Sequence, residues 1–353
     1  DERITHAIAR WYLDDIVTMA SYTDHEYAVD FITGPHANFS EYMADVHPLA
    51  TEADAIAFVA RLEAAGAQLR QVADAVARSE AAGNLPTTRA LDIAAWQLGQ
   101  LIESAERGHI IDDFDSRLAA IDLAAARRNE LLDEAAHALE VQLVPAAAEL
   151  ERVVRSAATR SDATPGVLHH PDGHAYYTAV LRHHTSTSLT PHEVHALGLL
   201  EVERVRAELT DALVAAGFDP TRRGLRQAIE DASASVPATA LESEADRAKL
   251  LAATEAFIAD TESAFAGMFT TTPQAQIEVR RPRPGRESTS GAYYRPPPAV
   301  GDRPGIYYLG LGGTSFPMDT YATTNFHEAV PGHHFQLALQ RESEKLPLLQ
   351  RAT

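Results

Sequence analysis

Hydrophobic positions recur at helical spacing along most of the chain. Behind Thr51, which has the chemistry of a helix N-cap, Ile56, Val59, Leu62, Leu69, Val72 and Val76 return every few residues until Gly83, Asn84 and Pro86 stop the run. Similar patterns cover Thr88 to Glu106 and Asp115 to Ser156, the second interrupted by Pro145, whose ring removes an amide donor. This half of the chain predicts a helical bundle. The turn-rich stretch SDATPGVLHHPDG, Ser161 to Gly173, marks a seam, so the expected organisation is an N-terminal helical region over 1–165 and a second region over 166–353.

Beyond the seam, Thr190 can cap a helix with Pro191 in its first position and Glu193 closing a capping box. Val202, Val205, Leu209 and Leu213 then predict a buried stripe, and another helix is expected from Glu242 to about Phe265. Between Thr270 and Pro304 the density of Pro, Arg, Gly and Ser excludes a long helix. GIYYLGLGG, Gly305 to Gly313, predicts a strand ending in a loop, and Thr323 and Thr324 are candidate N-caps for a helix carrying His327 and Glu328. The fold class is mainly α, with a small β element next to that last helix. No repeat of solenoid period is visible.

Candidate chemistry concentrates in NFHEAVPGHHFQ, Asn325 to Gln336. In a regular helix the residue four steps after His327 shares its face, and two imidazoles so placed can hold one zinc ion. Here that residue is Pro331. Proline breaks the hydrogen-bond ladder and Gly332 permits backbone angles closed to other residues, so Pro-Gly reads as an insertion that bends the helix and returns a later histidine. His334 lies on the face of His327 but roughly 10 Å along a regular axis, whereas His333 needs the chain to tighten or bulge. His327 and His333 are the favoured metal ligands, with His334 a close rival that can instead stand behind them. Glu328 occupies the place from which a carboxylate reaches the water activated by the metal, acting as general base and then as acid toward the leaving amine.

Composition narrows these readings. A chain of 353 residues, 45% hydrophobic and 23% charged, can bury one large core or two modest ones. A formal net charge of -20 excludes nucleic acid as the main partner, because phosphate binding needs clustered Lys and Arg. The absence of cysteine leaves His, Asp and Glu as the only metal donors. No apolar run approaches the roughly 20 residues needed to span a bilayer, and no signal-peptide core follows a basic start. Because the chain opens at Asp1, a soluble protein is expected that is either cytoplasmic or exported after removal of a targeting segment.

HEAVPGHHFQ, with DRPGIYYLG at Asp302 to Gly310 and TPHEVHALGLLEVERV at Thr190 to Val205, resembles the bacterial domain-of-unknown-function 885 family, grouped with zincin-type metallopeptidases. The likeness runs from Gly166 to Gln336. It implies a helical scaffold resembling that of the gluzincins, a zinc ion, and hydrolysis of a peptide or small amide substrate. It also implies a third zinc ligand, a glutamate in a Glu-Gly-Trp-like segment on a following helix. After His334 only Glu342 and Glu344 remain, both on the same helix, so the chain is expected to be the N-terminal part of a longer protein, cut before that ligand. In zincin-like folds an edge strand pairs with substrate, which makes Tyr307 and Tyr308 substrate-contact candidates, on opposite faces by strand alternation.

The expected function is therefore a zinc-dependent metallopeptidase. The alternatives are a hydrolase of a non-peptide amide or ester and a non-catalytic helical binding protein with a vestigial metal site; oligomeric state stays open. Other polar clusters have plainer explanations. Among 16 histidines chance pairs are common, so His25-Glu26 and His192-Glu193-Val194-His195 carry little weight, and His169, His170, His174, His183 and His184 fall in or near turns. Asp112, Asp113 and Asp115 lack calcium-loop spacing. Arg280, Arg281, Arg283, Arg286, Arg295 and Arg303 form a basic island, read as solvated loop charges unless they converge on the cleft, where they would bind a substrate carboxylate.

Overall fold

The computed structural model describes residues 2–161, 166–168, 170, 172–283, 287, 291–298 and 303–352. His169 and Arg286, two of the residues singled out above, lie outside them, as does part of the expected seam. The chain divides into two compact units, one of Ala20–Gly173 with Arg283–Thr289, the other of Asp1–Met19, His174–Pro282 and Ser290–Thr353. The single cut expected at 165/166 is thus replaced by an interleaved division: the first helix, α1 (Glu2–Met19), groups with the C-terminal residues.

The first unit is a helical bundle. After the short α2 (Pro35–Glu41) and a π-turn over Tyr42–Val46 come α3 (Glu52–Ala81), α4 (Thr88–Glu106), α5 (His109–Leu118), α6 (Ala125–Ala138) and α7 (Val144–Ala158). The Thr51 side chain accepts from the Asp54 amide at 3.2 Å while the Asp54 carboxylate accepts from the Thr51 amide at 2.9 Å, which satisfies donors that the first turn of α3 leaves open. Leu62, Leu91, Leu98, Leu131, Leu143 and Leu150 are fully buried between α3, α4, α6 and α7, and Phe58 stacks on Phe114 at 4.2 Å. The helical pattern over Asp115 to Ser156 breaks at Ala119–Ala124 as well as near Pro145. At the latter, a π-turn over Leu139–Leu143 carries the chain on and Pro145 occupies a first-turn position of α7, where its missing amide costs nothing.

The second unit is mixed. It contains α1, α8 (Gly173–Thr185), α9 (Pro191–Ala215), α10 (Pro220–Arg223), α11 (Leu225–Ser235), β1 (Thr239–Ala240) and α12 (Glu244–Phe265), followed by β2 (Ile277–Arg280), β3 (Tyr293–Arg295), β4 (Gly305–Tyr308) and β5 (Ser315–Phe316). Three helices close it: α13 (Tyr321–Glu328), α14 (His333–Glu342) and α15 (Leu348–Ala352). The main sheet has the order β2-β4-β3, with β4 parallel to β2 and antiparallel to β3; β1 and β5 form a separate antiparallel pair. Leu241, Leu250, Ile258, Val279, Tyr307 and Leu309 form its core. Among the described residues, no helix is long and apolar enough to cross a membrane.

Two local expectations need correction. The capping box at Thr190 and Glu193 forms with Pro191 at the helix start, but the stripe behind it is not buried: Val202 and Val205 are 53% and 48% exposed, and only Leu213 is buried. α10 and α11 pack on α9, and burial along it reaches only Leu213 near its C-terminal end. The helix bearing His327 starts at Tyr321, ahead of Thr323 and Thr324, and its N-cap Thr320 makes no side-chain cap hydrogen bond.

Candidate active site

Two helices meet end to end at the motif. The chain leaves α13 at Glu328, turns through Ala329 to Gly332 with a cis Val330-Pro331 bond, and re-enters helix at His333. A hydrogen bond from the Phe335 amide to the Ala329 carbonyl at 3.3 Å and one from Gln336 to Gly332 at 3.0 Å tie the new helix to the turn. Gly332 is required by space: a Cβ there would overlap the backbone carbonyl oxygens of Phe326 and His327.

The break brings His333, not His334, beside His327. Their ring centroids are 4.6 Å apart with an interplanar angle of 86°. His327 is exposed, His333 half-buried, and Glu328 between them in sequence is 7% exposed. One carboxylate oxygen of Glu328, Oε2, is buried without a hydrogen-bond partner. Burial raises the Glu328 carboxyl above the ordinary glutamate range, and the charges of His333 and His327 pull it partly back, which places both rings within electrostatic reach.

His334 turns the other way. It is 1% exposed, and its Nδ1 pairs with the Tyr294 hydroxyl at 2.8 Å, the two rings meeting edge to face at 5.6 Å. Burial lowers its pKa, opposed by a hydrogen bond to the Ala275 backbone and by the Glu342 charge. His334 therefore belongs to the support behind the pair and does not join His327 and His333. Gly305 makes this possible, because a Cβ on that residue would overlap the Tyr294 hydroxyl.

The two tyrosines of β4 depart from expectation. β4 is the central strand, with β2 and β3 occupying both its edges, so it has no free edge for an extended peptide. Tyr307 and Tyr308 are both 0% exposed. The Tyr307 hydroxyl donates to Asn325 Oδ1 at 2.8 Å, and Tyr308 stacks on Tyr293 with centroids 4.8 Å apart. Burial and the nearby Glu328 charge raise the Tyr307 phenol. Asn325, 1% exposed, has its Nδ2 buried and unpartnered, so a polar pair lies directly beneath Glu328 on the same helix. Asn325 and Tyr294 are the participants that the sequence reading missed. Asn325 stands three residues before Glu328 and hence on its face, a signal present in the chain; Tyr294 comes from a separate strand and has no local signal.

Among the described residues no group of three His, Cys, Asp or Glu is arranged to hold a metal ion. Glu342 is engaged elsewhere, its carboxylate accepting from the amides of Gln274 and Ala275 at 2.9 and 2.8 Å. Within the basic island, Arg280, Arg295 and Arg303 stand within electrostatic reach of one another: burial, and then the charges of Arg295 and Arg280, lower the Arg303 guanidinium. Arg280 pairs with Glu278, Arg281 with Glu244 at 2.6 Å and Arg283 with Asp45 at 3.3 Å, while Arg303 donates to the carbonyls of Pro304 and Pro296. His25 pairs with Asp172 at 2.6 Å, and Glu193 is held in its capping box. Asp115 pairs with Arg128 at 2.7 Å.

The chain is similar over 93% of its length to a candidate lipoprotein from Colwellia psychrerythraea known from its crystal structure, with 25% sequence identity and a TM-score of 0.83. It covers 56% of that protein, little more than half its length. No curated protein matches the chain. The model of the family described as Bacterial protein of unknown function (DUF885) matches residues 1–353, and the chain belongs to that family.

Proposed function

We propose that the protein is a zinc-dependent hydrolase of the zincin type, acting on a peptide or small amide bond. One observation carries the reading: two imidazoles, His327 and His333, stand 4.6 Å apart beside a buried carboxylate whose Oε2 has no partner. Buried polar atoms are ordinarily satisfied, and exceptions concentrate where a ligand or ion binds. Nitrogen donors paired with an adjacent carboxylate suit zinc. These residues would supply two of the usual three protein ligands, and among the described residues no third His, Cys, Asp or Glu joins them.

His327 and His333 would hold the ion, which when bound supplies Lewis acidity toward the scissile carbonyl. Glu328 takes a proton from the attacking water and delivers it to the leaving amine. Its raised pKa suits both halves of that task, because a carboxylate closer to neutrality accepts and releases a proton with less mismatch. Asn325 and Tyr307 fix the helix under Glu328, and His334 with Tyr294 fixes the start of α14 under His333.

The test is elemental analysis of the full-length protein together with peptide and ester turnover, for wild type and Glu328→Gln. The expected result is about one zinc per chain in both proteins and a loss of peptide turnover of about 10²–10⁴-fold in the variant. Ester turnover without peptide turnover would move the substrate to a non-peptide bond. A protein that binds no zinc, or a variant as active as wild type, would overturn the reading.

A further inference from the structure

The helical unit holds a cavity of about 200 Å³ remote in sequence from the motif. His36, at the start of α2, forms part of its lining. The residues before it are arranged to set that ring: the Asp30 carboxylate accepts from the Ile32 and Thr33 amides at 2.9 and 2.8 Å, and the Gly34 amide donates to the Asp30 carbonyl at 3.0 Å. A Cβ on Gly34 would overlap that carbonyl and press on the His36 ring. His36 is 4% exposed, and neither of its ring nitrogens has a hydrogen-bond partner. The Gln97 side chain acts on the ring as a hydrogen-bonding neighbour that raises its pKa, and because the Gln97 amide donates to the Phe31 carbonyl at 3.0 Å, its oxygen is the atom left to face the ring. A neutral imidazole offers one donor and one acceptor; Gln97 faces only the donor, and leaving the acceptor unmade in a buried place is costly.

The remaining lining shows what would satisfy it. Phe39, Met43, Phe58, Leu101 and Ile110 give apolar walls, and Met43 belongs to the π-turn that follows α2, a backbone irregularity that recurs at functional sites. The charged groups already have partners within the unit. Arg283 lies 3.3 Å from Asp45 and 3.5 Å from Asp113, Asp113 also faces Arg117 at 3.7 Å, and buried Glu41 is itself partnered. Among the described residues of the lining, Arg283, Asp113 and Glu41 are thus already engaged and none of the three is left over for a ligand charge. A dry cavity of about 150 Å³ accommodates benzene, so this volume suits one substituted ring.

We propose that this cavity binds a small uncharged molecule with an apolar, ring-sized body and one hydroxyl or carboxamide group, which hydrogen-bonds to the His36 imidazole. The inference is independent of any activity at the motif.

The full chain, labelled with ¹⁵N at histidine, is titrated at pH 7.5 with phenol, benzamide, toluene, benzoate and benzylamine. Phenol or benzamide is expected to saturate and to move the His36 ring resonances. Toluene, benzoate and benzylamine are each expected to bind at least tenfold more weakly. His36→Leu lowers affinity for phenol and benzamide about tenfold, to the level of toluene, and Ile110→Trp, which fills the cavity and keeps His36, abolishes binding of all five. Should His36→Leu fail to fold, the wild-type resonances and the Ile110→Trp titration decide. Absence of saturable binding by any probe, equal affinity for toluene and phenol, or binding that survives Ile110→Trp overturns the proposal and leaves water as the occupant.

Discussion

Replacing Gly332 with alanine puts a methyl group where the carbonyl oxygens of Phe326 and His327 already stand. Both are backbone atoms of the last turn of α13, so neither can rotate aside as a flexible side chain would. An ordinary carbon–oxygen approach is about 3.3 Å, and reaching it demands a displacement of more than about 1 Å between the end of α13 and the start of α14. Overpacking of this kind costs about 1–3 kcal/mol, and the rigidity of both partners puts this case at the upper end. The displacement acts on the contact that matters, because His333 is the next residue and its ring sits 4.6 Å from that of His327. A site must be held within about 0.5 Å to keep its geometry, so zinc affinity is expected to fall at least about tenfold. Urea unfolding and zinc calorimetry on wild type and Gly332→Ala measure both effects. Gly198→Ala is the control: nothing lies within 4 Å of a Cβ there, and in mid-helix the substitution is expected to stabilise by about 0.5–1 kcal/mol. If Gly332→Ala leaves both the urea midpoint and zinc affinity unchanged, the close-approach argument fails.

Three further outcomes are expected. Tyr307→Phe removes the 2.8 Å bond to Asn325, leaving a second polar atom of that buried amide unsatisfied, and should destabilise by about 1–3 kcal/mol in urea unfolding; no change would mean that the pair is not formed. Thr51→Ala removes one half of the capping box on α3 and should cost about 1 kcal/mol by the same assay, with Thr51→Ser restoring most of it. His36 is held neutral by burial, its pKa lowered from 6.5 to about 4, so the unfolded chain binds more protons than the folded one between these values. Its contribution is complete above pH 6.5 and is lost as pH falls toward 4. Between pH 7.5 and 5 it should withdraw about 2 kcal/mol of stability, and the difference between wild type and His36→Leu in urea midpoints isolates it; parallel pH profiles for the two proteins would refute the assignment.

What the chain declares openly is what local chemistry decides. Thr51 with Asp54 and Thr190 with Glu193 form their capping boxes, because a hydroxyl and a carboxylate three residues apart need only each other and the first turn. The break between His327 and His333 is equally local, since a proline past the first turn of a helix cannot donate to its hydrogen-bond ladder. The burial of a stripe is a different kind of fact. Val202 and Val205 have the spacing of a core face, yet spacing specifies only that a face could be covered and says nothing of what covers it. The tyrosines of β4 fail for the same reason, because strand order is set by residues far away in sequence, and a short aromatic run reads alike at an edge and in the centre of a sheet.

The motif itself shows where this boundary runs through a single site. Four of its residues, His327, Glu328, Pro331 and Gly332, prescribe a carboxylate between a histidine and a kink, and the kink selects His333 as the neighbour. Nothing local could assign His334, because its role is fixed by the hydroxyl of Tyr294 on β3, 40 residues earlier, and by the missing side chain of Gly305 on β4 that lets the hydroxyl through. Two adjacent histidines thus take opposite parts: one meets the ring of His327, and the other is bound into the sheet. The division follows from a helix, which turns successive residues by about 100° and cannot aim both rings at one point. A helix that begins at His333 can present one imidazole to His327 only by committing the next to its own support.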